Sequence, residues 1–364
     1  MKNFHNCAKM GLKITIRFYF KRREEWLMGA KIKDVARVAN VSIATVSRVI
    51  NDIPLVNEET RARVLDAIKK TGYRPNAIAR SLKLQKTNTI GVILYDITRI
   101  YFTLGARGVE DYSAANDYNI ILCNTDGVKE REKKAAELLM EKQCDGIIFL
   151  GVLMTDSLKE TLKQTNVPVV LGLLEDPEND FAAVHLDNEA AAFDMVEYLI
   201  DKGHREIGII NVDPATAYFA QKRREGYLRA LKEHGFDYHE EWSHVGDFTV
   251  QGGYDAMEEL LKNQKIPTAV FCTNDDMAVG AIRCAQNHGY KIPEDISITG
   301  FNDFNMARWS RPAITSLHHD MYKLGEACAK ILIEEIASGV KQKDDIHLAY
   351  HIIERDSVRD LTKG

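Results

Sequence analysis

The sequence predicts an all-α helix-turn-helix headpiece followed by a hinge helix, and then an α/β body of two doubly wound lobes. Three observations carry this reading. Apolar residues recur at helical spacing between Ile32 and Ile68, whereas beyond residue 89 short apolar runs alternate with helix-length amphipathic segments. Charge divides along the same line: residues 1–84 hold 18 Lys+Arg against 7 Asp+Glu, or +11, and the remainder holds 30 against 46, or −16. A basic head on an acidic body is the footprint of a polyanion binder with a separate regulatory domain. The expected divisions are an extension at 1–28, a helix-turn-helix domain at 29–75, a hinge and linker at 76–88, and a two-lobed domain at 89–364.

Residues 1–27 are basic and irregular, and end just before a second methionine, Met28. Leu12, Ile14 and Ile16 alternate with Lys13, Thr15 and Arg17, which breaks the continuous apolar core that a secretory signal needs. A DNA-touching arm fits the charge. A start-site artefact fits better, because Arg22-Arg23-Glu24-Glu25 is what a purine-rich ribosome-binding site ahead of Met28 would encode.

Ile32, Val35, Ala36 and Ala39 sit at i, i+3, i+4 and i+7, the stripe of a short amphipathic helix, and Asn40 ends it. Ser42 is a fitting cap for a second helix, in which Val46, Val49 and Ile50 face inward. Ile43, Ala44, Ser47 and Arg48 are left facing outward. On pattern alone, a three-helix module that binds protein or nothing fits equally. A third helix is expected over residues 57–71, capped by Asn57, with Glu58 and Glu59 in its first turn, Lys69 and Lys70 in its last, Gly72 at its exit, and a stripe of Val64, Leu65 and Ile68. Pro75 then pushes Arg74 out of helical geometry, and Asn76 can cap about two more turns. A helix that short is marginal alone in water, so the hinge is expected to order only against a partner.

Five blocks in this region, Ile32-Lys33-Asp34-Val35-Ala36, Val41-Ser42, Thr45 to Asn51, Asn57 to Arg61 and Arg74 to Leu82, resemble the headpiece and hinge of the lactose-repressor (LacI/GalR) family. The resemblance implies a homodimer on two-fold-symmetric operator DNA. It implies that Ile43, Ala44 and Arg48 read bases in the major groove, with Ser42, Thr45 and Ser47 beside them. In the hinge it implies contacts by Asn76, Ala79, Leu82 and Lys83, with Leu82 wedged between base pairs of the minor groove. Lys31 stands where the family usually has a capping Thr.

In the body, strands are expected at residues 90–94, 119–123, 146–150 and 167–171, with helices near 104–117 and 129–143. A second series has strands at 207–211, 268–272 and 296–301, with helices at 189–202, 221–234, 251–263 and 277–288. Two facing α/β lobes make a ligand cleft beyond the carboxyl ends of their strands. No dinucleotide, P-loop, nucleophile-elbow or zincin motif is present, so no catalytic residue, cofactor or metal site is expected. The acid pair Asp275-Asp276 and the pair His318-His319 read as cap and surface residues. Cysteines at 7, 123, 144, 272, 284 and 328 lack metal-ligand spacing and read as reduced core residues. No apolar run reaches the roughly 18 residues of a membrane span, and a cytoplasmic protein with no membrane partner is expected.

The family resemblance continues through Asp356, on stretches such as Arg223-Arg224-Glu225-Gly226-Tyr227, Asn274 to Gly280 and Gly300-Phe301-Asn302-Asp303. It implies a periplasmic-binding-protein-like effector domain whose lobes exchange segments, with 321–339 returning to the first lobe and 348–354 to the second. It also implies that Arg223, Asn274 and Asn302 hold an effector's polar groups while Phe271 and Phe102 stack on its ring. Two departures stand out: Asn302 replaces the usual Asp, and Val170 to Leu174 offers no Asp where ligand-binding members often have one. The stretches Asp96 to Phe102 and Ala106 to Asp111 resemble the family's catabolite-control branch, which answers to a phosphorylated carrier protein, and Arg311 matches an Arg that meets the phosphoserine there. The expected function is a transcription regulator, foremost a repressor of carbohydrate-utilisation genes controlled by a small sugar-like effector. The alternatives are a regulator activated by the phosphorylated carrier, and a sugar-binding protein with a vestigial headpiece.

Overall fold

The computed structural model of the chain describes residues 30–73 and 86–363, in two compact units that divide at Thr87. The expected extension and the hinge positions Asn76, Ala79, Leu82 and Lys83 lie outside the described residues.

The first unit packs α1 (Ile32–Ala39), α2 (Ile43–Ile50) and α3 (Glu58–Thr71). Val35, Ala36, Ala39, Val46, Val49, Val64 and Ala67 form its buried core. The expected stripe of α3 needs one correction: Leu65 is exposed, because it lies about 100° around the helix from Val64, and the inward face runs Val64, Ala67, Ile68 instead. Asn40 ends α1 in the left-handed region and Gly72 does the same for α3. A lysine ammonium has no acceptor, so at the start of α1 only half of a capping box forms, with the Asp34 carboxylate accepting from the Lys31 N–H at 3.0 Å.

The second unit holds two six-stranded sheets. The first is built from β1 (Thr89–Leu94), β2 (Asn119–Asn124), β3 (Gly146–Leu150), β4 (Val169–Gly172), β5 (Ala182–His185) and β11 (Asp345–His347), in the order β11-β5-β4-β3-β1-β2. The second has β6 (Ile207–Val212), β7 (Ser243–Gly246), β8 (Ala269–Cys272), β9 (Ser297–Asn302), β10 (Thr315–His319) and β12 (Tyr350–Ile353), in the order β12-β10-β9-β8-β6-β7. The pairings are parallel except that of β10 with β12.

Alternate strand residues face opposite ways. In the first sheet Ile90, Val92, Leu94, Ile148 and Leu150 pack toward α4 (Ile100–Ala115) and α12 (Met321–Ser338). Ile93, Ile147, Phe149 and Leu171 face α5 (Lys129–Glu141) and α6 (Asp156–Lys163). The second sheet repeats the plan between α9 (Val250–Leu260) with α10 (Asp275–Asn287) and α7 (Asn188–Asp201) with α8 (Tyr218–Glu233). The segment exchange is as expected: α12 packs on α4, and β12 joins the second sheet. Four strands, β5, β7, β10 and β11, had no forecast: Ser243-His244-Val245-Gly246 and Asp345-Ile346-His347 carry no apolar run, and the run Phe181-Ala182-Ala183-Val184 at β5 is short. Among the described residues no helix is long and apolar enough to cross a membrane.

Candidate functional site

In the headpiece, Ser42 caps α2 by accepting from the Thr45 N–H at 3.1 Å. Val46 and Val49 anchor the helix from beneath, and Ile43, Ala44 and Arg48 stand exposed, with Thr45 and Ser47 half-buried. No carboxylate pairs with Arg48 among the described residues, which leaves its guanidinium fork available to a base edge or a phosphate.

In the body, a cavity of about 250 Å³ lies where the carboxyl ends of strands from both lobes meet. Of the expected effector residues, Phe102, Arg223, Asn274 and Asn302 line it. Phe271 does not. It is fully buried beside Phe301 with ring centroids 6.3 Å apart, because strand alternation sends it under α7 and α8 and Cys272 to the other face. Leu173 and Leu174 are buried core residues, so the stretch lacking the usual Asp contributes nothing to the cavity wall.

Arg223 is the chemical centre of this cavity. It is 1% exposed, its Nε donates to Asn188 Oδ1 at 2.9 Å and its Nη1 to the Thr273 carbonyl at 2.6 Å. The guanidinium carbon lies 3.6 Å from the Phe301 ring centroid and 4.8 Å from that of Phe219. Burial pulls its pKa down to about 10, which still leaves it charged at neutral pH. Asn274 spends its carbonyl on the Met277 N–H at the start of α10, and Asn302 accepts from His319 Nε2 at 3.1 Å. Asn302 and Asp303 both have positive φ, 98° and 57°, a bend that Asn and Asp tolerate better than most residues.

Several wall residues were not anticipated. Tyr95 stacks on Phe102 at 5.2 Å, Tyr101 meets Phe102 edge-on, and Phe219 and Phe248 sit 5.7 Å apart on the opposite lobe. Arg99 of the first lobe donates to the Phe248 carbonyl of the second at 3.2 Å and to Asp96 at 3.2 Å. The Asp275-Asp276 pair is not surface: Asp276 lines the cavity, and burial raises its pKa against the pull of Arg99. Asp275 is fully buried, accepting from the Ser316 hydroxyl at 2.6 Å and the Phe304 N–H at 2.8 Å. His319 is likewise buried, while His318 lies beside Asp303 at 3.2 Å. The only available signal was the position of Asp275 and Asp276 just past the strand run 268–272.

These buried groups give a pH test. Burial pushes Asp275 up from 3.8 to about 7, and burial, then the nearby Arg223 cation, pushes His319 down from 6.5 to about 3. Below its folded value Asp275 binds a proton that the unfolded chain gives up above 3.8, so its contribution to stability is lost as pH rises toward 7. The contribution of neutral His319 is lost as pH falls from 6.5 toward 3. The two oppose each other between about pH 4 and 6.5. Asp275→Asn should therefore expose the histidine alone, and denaturant unfolding of the variant should lose stability on acidification more steeply than wild type, by up to about 1.4 kcal/mol per pH unit. Parallel profiles would refute this opposition.

Arg311 lies outside the cavity. It is exposed, near Trp309 and Met306 of the short helix α11 (Asn305–Trp309), and its Nη1 donates to the Ser310 carbonyl at 2.9 Å.

Comparison with known proteins follows the same division. Residues 31–76 match the family model of bacterial regulatory proteins, lacI family, and residues 196–358 match a periplasmic binding protein-like domain. The chain is 39% identical to catabolite control protein A of Priestia megaterium, over 91% of this chain and 100% of that protein. It is 36% identical to the transcriptional repressor PurR of Vibrio cholerae serotype O1, over 92% of this chain and 100% of that one. A solved complex of the transcriptional regulator CelR with cellobiose matches with a TM-score of 0.70 and 28% identity, over 90% of this chain and 99% of that chain.

Proposed function

The chain belongs to the lacI family of bacterial regulatory proteins, and from that membership we propose that it is a cytoplasmic homodimeric repressor of carbohydrate-utilisation genes, released from or held on its operator by a small carbohydrate-like effector. It is a DNA-binding transcription regulator, as its relatives are. The observation that carries the reading is the capped helix α2, held by buried Val46 and Val49, with Ile43, Ala44 and Arg48 exposed. A packed three-helix core beneath that face argues against a vestigial headpiece.

The cavity supports the effector class. Phe102, Phe219 and Phe248 offer aromatic faces for the apolar side of a sugar ring, while Arg223, Asn274, Asn302 and Asp276 offer donors and acceptors for its hydroxyls. Arg99 and the Phe248 carbonyl already bridge the lobes, so a ligand between them would change how the lobes close. Through the hinge, where Leu82 lies between Arg80 and Lys83, such a change would reach the minor groove.

A second reading draws on exposed Trp309, Met306, Arg308 and Arg311, which together suit a docking face for a phosphorylated carrier protein. Phosphorylated carrier binding tighter than the unphosphorylated form, with the difference lost in Arg311→Ala, would favour it.

For the main reading, a mobility-shift titration should show sequence-selective DNA binding that weakens linearly in log-log form with salt. A sugar and sugar-phosphate panel read by thermal shift should identify an effector, since a ligand at 100 times its dissociation constant adds roughly 2.7 kcal/mol. Equal affinity for all DNA sequences would sink the regulator reading, and no response to any member of the panel would sink the effector class.

A further inference from the structure

Among the described residues, His185, Asp345 and His347 each place one donor atom within 4.8 Å of the others. None of them lines the cleft cavity. His347 of β11 sits opposite His185 of β5 in the parallel register, and Asp345, two residues earlier, lies on the same face of β11. His185 Nε2 is 2.6 Å from Asp345 Oδ1, His347 Nε2 is 3.5 Å from Asp345 Oδ2, and the two imidazole rings lie 4.5 Å apart.

The orientation of His185 is set from behind. Its Nδ1 is 3.3 Å from the Leu186 carbonyl and 3.9 Å from Glu175 Oε1, and its Nε2 faces the Asp345 carboxylate, so both ring nitrogens meet groups that only accept and the ring is held in one orientation. At 2.6 Å the His185 Nε2–H donates to the Asp345 carboxylate, and a metal ion bound here would displace that proton and take both atoms as ligands. An imidazole fixed by a backbone carbonyl on its far nitrogen is the usual outer support of a metal ligand. His185 is 1% exposed, whereas Asp345 and His347 are open to solvent, which gives the group a fixed wall and an entry path.

We propose that His185, Asp345 and His347 form a binding site for one borderline divalent transition-metal ion of the Zn²⁺ or Ni²⁺ class. Two imidazole nitrogens and one carboxylate oxygen match that class, whereas Mg²⁺ and Ca²⁺ take oxygen ligands. Three protein ligands leave a fourth position for water. Strand β11 is the exposed edge of the first sheet, paired only with β5, and the ion clips it to that neighbour. The same ion fixes the entry to α7, where Asn188 holds Arg223.

The test is isothermal titration of metal-free full-length protein with zinc chloride and nickel chloride, and magnesium chloride for comparison. Wild type should bind one transition-metal ion per chain and show no comparable heat with magnesium. His347→Ala and Asp345→Asn, at exposed positions, should keep the metal-free melting temperature yet lose affinity by at least about 10- to 100-fold, the loss that even outer-shell changes cause. If either variant melts early, His347→Gln replaces it. Zinc should also slow amide exchange over residues 182–188 and 345–347 in wild type only. Absence of binding by wild type, equal binding of magnesium, or full affinity retained in both variants would overturn the site.

Discussion

Arg223→Ala is expected to lower the stability of the body by about 3–5 kcal/mol and to remove the response to effector. The side chain is 1% exposed, wedged 3.6 Å from the Phe301 centroid and 4.8 Å from that of Phe219. Truncation leaves a cavity between those rings and strands two buried acceptors, Asn188 Oδ1 and the Thr273 carbonyl. Each stranded acceptor costs about 1–3 kcal/mol, and the cavity adds to that. One term runs the other way, since a buried guanidinium carries a desolvation cost that the variant escapes. Arg223→Met separates the terms: it keeps most of the volume and sheds the charge, so it should cost clearly less than Ala while losing the effector response equally. Thermal unfolding, with a drop of roughly 10 °C for Ala, reads the difference. An Ala variant within about 1 kcal/mol of wild type would show that the burial of Arg223 contributes little.

Gly325→Ala should destabilise by about 2–4 kcal/mol, although helix propensity alone predicts a gain of up to about 1 kcal/mol. The two signs make the test decisive. A methyl group on Gly325 of α12 would fall well inside the Gly105 carbonyl oxygen of α4, and one on Gly108 would meet the Tyr322 carbonyl in return. The neighbours are backbone atoms, which move only if a whole helix moves. Because Tyr101 and Phe102 lie in the first turn of α4 and line the cavity, displacing the helix also disturbs the cavity wall, so effector affinity should fall with stability. Urea unfolding that shows a gain would mean the helices can separate without loss.

How far these features could be read from the sequence depended on whether they left a local pattern. Ser42 is a cap whose partner is three residues away, and Val35, Ala36 and Ala39 repeat at helical spacing, so the headpiece was legible at short range. Phe271 was misplaced because Ala269-Val270-Phe271-Cys272 is apolar on both sides and offers no alternation to tell which face meets the cleft. Leu65 was assigned to the inward face of α3, where Ala67 stands instead. Arg223 was singled out only by family resemblance, as an Arg on an amphipathic helix looks like any exposed charge until Asn188, Thr273 and Phe301 close on it. The cluster of His185, Asp345 and His347 joins residues 160 positions apart and leaves no spacing to recognise.

The most direct test of the central claim, sequence-specific DNA reading by α2, is selection of binding sites from random duplexes by wild type and by Arg48→Ala, followed by affinity titration at several salt concentrations. Wild type should enrich a two-fold-symmetric site. The variant should lose roughly 1–3 kcal/mol on that site and become indifferent to the base at one position in each half, while keeping a salt-dependent affinity for all duplexes. A symmetric site read with undiminished preference by the variant, or the absence of any enriched site with wild type, would contradict the account.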